Sequence, residues 1–166
     1  IGDISGDGGT FTDMHVTDVA CNIKNGYIGD WNVAKSADWL LKQTTTKSHG
    51  KCWAYVKRCL TASGDFSFIS GDYAYKNIDD LIARGFVCIK KGTMKGHQGT
   101  EYGTPCIGDI TIFYPYRSKD GYHKAGHANM WCGKQWVSDF RQNGNWVNSS
   151  AEGKFVVMRY SGKGKR

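Results

Sequence analysis

The sequence predicts an α+β fold built around an antiparallel sheet, and three observations carry that expectation. Apolar residues recur at helical spacing in three segments before Gly85. After Gly85 the apolar runs shorten and become rich in β-branched and aromatic residues, which is strand-like. The helical and strand-like segments also follow one another as two blocks, whereas alternation would have pointed to a parallel sheet.

Residues 1–30, with "ISGDGG" and "NIKNGYIGD", are rich in Gly and Asp and read as a loop-rich lead-in that packs on the domain. The core is expected over residues 31–160, followed by a basic tail at 161–166, all within one domain. From Asn32 to Thr44, the residues Val33, Ala37, Leu40 and Leu41 mark one helical face, with Asn32 as N-cap. A second helix is expected from Gly50–Cys52 to Ser63–Gly64, burying Ala54, Tyr55, Cys59, Leu60 and Ala62. A third runs from about Tyr75 to Arg84, with Ile78, Leu81 and Ile82 inward and Gly85 as its stop. The strands are "FVCIKK", "GDITIFYPY", "GHANMWCG", "KQWVSDF" and "KFVVMRY". After the first of them, "KKGTMKGHQGTEYGTP" reads as a glycine-rich loop long enough to line a cleft.

Composition narrows the function classes. Hydrophobic residues at 40% and charged residues at 22% are ordinary for a globular protein. No run of apolar residues is long enough to span a membrane. The net charge of +7 favours an anionic partner, but the basic residues are dispersed, so no nucleic acid is expected. Six cysteines without a CxxC pair or a Cys/His cluster at zinc-finger spacing argue against a structural metal, and no cofactor is expected. Cys52 and Cys59 on one helix would stand about 10 Å apart. That is beyond disulfide reach, roughly 7 Å between Cα atoms.

The chemistry concentrates in two stretches, "SHGKCWAYVKRCL" and "GHANMWCGKQWVSDF". If the second is a hairpin turning at Cys132-Gly133-Lys134, then Met130 faces Trp136, Ala128 faces Ser138, and His127 faces Asp139. Opposed residues have Cβ atoms about 4.5–5.5 Å apart, so an imidazole and a carboxylate would share one face of the sheet. A carboxylate there fixes the tautomer of a general base and stabilises the imidazolium. A lone histidine in a strand is ordinarily structural, and a lone cysteine in a helix is ordinarily a small core residue. Cys52, however, sits where a Gly-containing loop becomes a helix, and a helix N-terminus stabilises a thiolate.

Those stretches, with "IGDITIF" between them, resemble the NlpC-like and CHAP (cysteine, histidine-dependent amidohydrolase/peptidase) cell-wall hydrolases, compact papain-like enzymes. The resemblance covers roughly residues 36–142, although Trp53 stands where an Ala is common. It implies Cys52 as nucleophile, His127 as general base and later acid, and Asp139, twelve residues after the base, as the orienting group. Gln142 is the fallback for that third role and a candidate binding residue. Trp31, Trp53, Trp131 and Trp146 are candidate groove residues, and Ser48, His49 and Gln43 are nearby candidates for an oxyanion donor. His49 and His123 are rival bases, while His15 and His97 have no assigned role.

The implied activity is hydrolysis of an amide in the peptide stem of bacterial peptidoglycan, by a lysin or an antibacterial toxin acting as a monomer. It would be secreted or delivered to the bacterial periplasm or cell wall, and a cognate immunity or inhibitor protein would fit a toxin. Two alternatives stay open: a transglutaminase-like acyl transferase on the same Cys-His-Asp frame, and a non-catalytic glycan- or nucleic-acid-binding module. Outside the cytosol disulfides are permitted, and Cys106 and Cys132 are the expected participants while Cys52 stays free.

Overall fold

The computed structural model describes residues 10–95, 102–142, 144–145 and 150–164. Its centre is β10 (Glu152–Tyr160). The run from Phe155 to Tyr160 is buried throughout because both faces of the strand are covered. Val156, Met158 and Tyr160 enter the larger core, and Phe155 and Val157 enter a smaller one on the opposite face. One edge of β10 pairs with β3 (Phe86–Lys95), and the other with β4 (Ile110–Phe113) and β5 (Tyr116–Ser118). The sheet continues from β4 through β7 (His127–Trp131) and β8 (Trp136–Val137) to β9 (Arg141–Gln142). From β5 it continues to β6 (Gly121–His123). Every pairing named here is antiparallel. The α+β expectation holds, with the 90–95 part of the expected loop absorbed into β3.

The helices cover the larger core. α2 (Val33–Gln43) begins where expected, because the Asn32 side chain accepts from the Lys35 N–H at 3.1 Å. α3 (Cys52–Ala62) buries Trp53, Val56, Cys59 and Leu60, leaving Ala54, Tyr55 and Ala62 half-buried. The buried face is thus rotated from the expected one. Each such side chain removed from water stabilises the fold by roughly 1.5–3 kcal/mol. A 3-10 turn (Ala74–Asn77) leads into α4 (Ile78–Ala83), which buries Ile78 and Leu81 but leaves Ile82 exposed. Among the described residues no helix is long and apolar enough to cross a membrane.

The described part of the lead-in, residues 10–30, has more structure than its composition suggests. It holds α1 (Thr10–Asp13) and a hairpin of β1 (Ile23–Lys24) and β2 (Tyr27–Ile28). The hairpin turns at Asn25-Gly26, both at positive φ, as a tight two-residue connection requires. A disulfide joins Cys21 to Cys106, with Cα atoms 5.4 Å apart. Beside it Arg159 clamps the Asp109 carboxylate through Nε and Nη2, each at 2.8 Å, and donates from Nη1 to the Val19 carbonyl. Half of the cysteine expectation is therefore corrected: Cys106 is bonded, but Cys132 is a free, buried thiol in the β7–β8 turn.

A second correction concerns the hairpin register. Met130 faces Val137 and Trp131 faces Trp136, one residue away from the expected pairing. The connection is four residues long, closed by the Cys132 N–H on the Gln135 carbonyl at 2.9 Å, and the extra residue shifts every partner. β8 also ends at Val137. The chain then reverses through Ser138–Phe140 into β9, where Trp136 faces Gln142 and Val137 faces Arg141. Asp139 lies in that turn, not opposite His127.

Candidate active site

Cys52 is the first residue of α3, and His127 opens β7 at the strand end beside it. The two side chains hydrogen-bond to each other, and the Ala128 backbone N–H donates to the Cys52 sulfur. Both residues are half-buried, so a carbonyl can approach. Burial pushes the Cys52 thiol up, but the charge and hydrogen bond of His127 and the Ala128 amide outweigh it, leaving the thiol below its ordinary value. Burial likewise disfavours a charged His127, yet the Cys52 charge and hydrogen bond, with Gln142, hold the imidazole above its ordinary value. Both shifts run in the direction of a thiolate–imidazolium pair. Burial pushes the other free thiols the opposite way: Cys59 far up, Cys88 up, and Cys132 up to about 12. Those three are inert packing residues by comparison.

The group on the far side of the imidazole is Gln142, whose Oε1 lies 2.8 Å from His127 Nε2. An amide oxygen can only accept, so Nε2 carries the proton and Nδ1 is left for the thiol. Two more bonds fix the amide orientation: Gln142 Nε2 donates to the Gly144 carbonyl at 3.1 Å, and Asn129 Nδ2 donates to Oε1 at 3.4 Å. Asn129 also donates to Asn145 Oδ1, and Asn145 donates to Thr111 Oγ1, both at 3.0 Å. His127 and Asn129 share one face of β7 because side chains alternate along a strand. That spacing was the available sequence signal for this polar layer.

Asp139 still helps to hold the His127 imidazole up through its charge, but its hydrogen bonds go to the loop before α3. Its fully buried carboxylate accepts from the backbone N–H groups of His49 and Lys51, the latter at 3.0 Å, and from the Ser48 hydroxyl at 3.3 Å. Lys51, the N-cap of α3, offers no side-chain cap of its own. Asp139 caps the helix from the other half of the molecule and so seats the loop that carries Cys52. Neighbouring contacts fasten the end of α2 and the residues after it to the start of β9: Arg141 N–H donates to the Thr45 carbonyl at 3.2 Å and Arg141 Nη2 to the Leu41 carbonyl at 2.9 Å. Ser48 and the backbone of His49 are thus committed to Asp139, and the exposed His49 ring lies 3.2 Å from Thr45 Oγ1.

Of the other candidates, Trp31 is completely buried, with its Nε1 donating to Ser36 Oγ at 2.9 Å, and it lines no groove. Trp53 is buried too, and its Nε1 donates to Asn77 Oδ1 at 2.8 Å. Trp131 is half-buried against Trp136, four residues along β7 from His127, or about 13 Å. Trp146 and His97 lie outside the described residues. His123 stacks on Tyr116 with ring centroids 4.5 Å apart. Tyr116 is near enough to Cys52 to feel its charge, and burial with that charge pushes its phenol up to about 12. The β5–β6 hairpin that supplies both rings was not foreseen. Among the described residues no group of His, Cys, Asp and Glu is arranged to hold a metal ion.

No protein-family model matches the chain, and no curated protein matches it. Two solved structures do, both of the type VI effector–immunity complex Tae3–Tai3 from Ralstonia pickettii. A chain of the selenomethionine form is 23% identical, with a TM-score of 0.58 over 75% of this chain and 98% of that one. A chain of the native form is 20% identical, with a TM-score of 0.56 over 77% and 98%. The fold is shared. Nearly the whole of each of those chains is contained in this one, while about a quarter of this chain lies beyond the match.

Proposed function

We propose that this protein is a cysteine amidase that hydrolyses an amide bond in the peptide stem of bacterial peptidoglycan. The observation that carries this reading is the Cys52–His127 pair, the one place where a free thiol is drawn below its ordinary value by a hydrogen-bonded imidazole. In the reaction, Cys52 passes its proton to His127 and its sulfur attacks the amide carbonyl. The oxyanion of the tetrahedral intermediate faces the first amides of α3. His127 then protonates the leaving amine, and the C–N bond breaks to leave a thioester. Water, deprotonated by His127, attacks that thioester and releases the acid and the free thiol. Gln142 holds the ring and its tautomer through the cycle, and Asp139 is a positioning residue for the nucleophile.

The fold shared with an effector–immunity complex supports an antibacterial effector delivered to the target cell's periplasm and blocked by a cognate immunity protein. The Cys21–Cys106 disulfide suits an oxidising compartment, and the charge of +7 suits an anionic polymer. The test is digestion of purified peptidoglycan with identification of the fragments by mass spectrometry. New amine and carboxyl ends are expected from the native chain and none from Cys52→Ala folded to the same circular-dichroism spectrum. Equal fragments from both would end the assignment of the nucleophile.

A further inference from the structure

The exposed ring of His49, three residues before Cys52, is held in one orientation, yet the chemistry just described makes no use of it. Its backbone N–H is committed to Asp139. Its Nε2 lies 3.2 Å from Thr45 Oγ1, and the other bond of that hydroxyl decides the tautomer. Thr45 Oγ1 donates its only proton to the Lys47 carbonyl at 2.9 Å, so toward the imidazole it can only accept. His49 Nε2 therefore carries the ring proton. Nδ1 is left as an acceptor, with no hydrogen-bond partner among the described residues.

Direct contacts tie this ring to both members of the Cys52–His127 pair. His49 meets Tyr55 edge-on, with ring centroids 6.3 Å apart. Tyr55 follows Cys52 by three residues on α3, so the two share a helix face with Cβ atoms about 5–6 Å apart. On the other side, Thr45 is the bridge partner of Phe140, whose ring centroid stands 6.3 Å from that of His127. A rim thus runs from Tyr55 beside the thiol, through His49 and Thr45, to Phe140 beside the imidazole. Tyr55 and Phe140 are half-buried and keep part of each ring open. Phe113, the other ring near His127 at 5.7 Å, is fully buried and offers no surface.

We infer that Tyr55, His49 and Phe140 form a subsite for an extended peptide segment next to the scissile amide. His49 Nδ1 accepts one peptide N–H, and a short aliphatic side chain packs on the open parts of the two rings. The subsite rests on the substrate proposed above and says which part of it is gripped. A bare imidazole nitrogen takes an N–H and turns away a carbonyl or a carboxylate, while half-open rings favour an apolar side chain. An exposed side chain ordinarily loses rotamer freedom on binding. His49 is already fixed at its backbone, its Nε2 and its ring edge, so little remains to be lost.

The probe is a soluble muropeptide with one disaccharide, and its affinity is measured on the full chain carrying Cys52→Ala, where no turnover intrudes. Adding His49→Gln keeps a donor for Thr45 but removes the acceptor from the Nδ1 position. It should weaken binding about fivefold, the loss of one neutral hydrogen bond. Adding His49→Asn instead, whose Oδ1 can stand where Nδ1 does, should recover most of that affinity. In the chain with Cys52 intact, His49→Gln should raise KM by a similar factor, with a smaller change in kcat and the alkylation midpoint of Cys52 unmoved. A role confined to holding the loop gives the reverse order, because only Gln keeps the bond to Thr45. That reverse order, equal affinity in all three chains, or no measurable binding by the Cys52→Ala chain would overturn the subsite. If the order holds but the native chain does not cut the muropeptide, the amidase is overturned and the subsite stands.

Discussion

At the scale of single residues, Cys52 and His127 depend on each other for their charge. The thiol lies below its ordinary 9.0 and the imidazole above its ordinary 6.5, each chiefly against the pull of burial. An active pair needs the sulfur deprotonated and the imidazole protonated. The acid limb of the pH–rate profile therefore marks the thiolate taking up its proton, at a pH below 9.0. The alkaline limb marks loss of the His127 proton, above 6.5. Iodoacetamide alkylation measures the thiol directly. Its midpoint for Cys52 should lie below that ordinary value of 9.0 and should rise in His127→Ala. A midpoint at or above the ordinary value in the native chain would show that the imidazole does not activate the sulfur.

At the scale of elements, the β8–β9 turn separates two tasks that look alike in sequence. Gln142→Ala frees the imidazole to rotate and should lower kcat by about a hundredfold, the effect of an ångström-scale misplacement, with little change in melting temperature. Asp139→Ala strands the amides of His49 and Lys51 and should destabilise the fold by about 1.5–3 kcal/mol for the loss of a charged hydrogen-bonding partner. Thermal melts run beside steady-state kinetics check both. The reverse pattern would restore the carboxylate to the histidine. These roles were only partly legible in the sequence. Helix spacing and the Asn32 cap located α2 and α3, because both signals are local. The register of β7 against β8 depended on one residue of turn length, and "CGKQ" contains nothing that distinguishes a three-residue from a four-residue connection. A slip of one reverses the face of every side chain, and it is the further reversal at Ser138–Phe140 into β9 that brings Gln142 to His127. The capping of α3 by Asp139 crosses 88 positions of sequence and had no local trace.

At the scale of the molecule, the lead-in is fastened at its far end by a bond spanning 85 residues. Closing a loop of that length stabilises the fold by about 4–5 kcal/mol in the chain-entropy account. Cys21→Ser with Cys106→Ser should therefore lower the melting temperature sharply. Because burial, His127, Ala128 and Asp139 are what set the Cys52 thiol, alkylation of Cys52 in the variant, measured well below its melting point, should keep the native midpoint. A shifted midpoint would mean that the lead-in shapes the cleft as well as the stability. Composition alone hid this element, since a stretch rich in Gly and Asp reads as loop whether or not its cysteine finds a distant partner.

The turn bearing Asp139 and Gln142 has a consequence for how accurately the fold must be made. The proposed nucleophile comes from the helical half of the chain and the proposed base from the sheet, so their separation could gather small errors from every packed layer between them. It does not, because both are located from one common datum: the carboxylate at one end of a short turn sets the thiol, and the amide at the other end sets the ring. The tolerance of the site is confined to five consecutive positions, Ser138 to Gln142. A single residue inserted there would move the carboxylate and the amide apart and is expected to uncouple the two anchors.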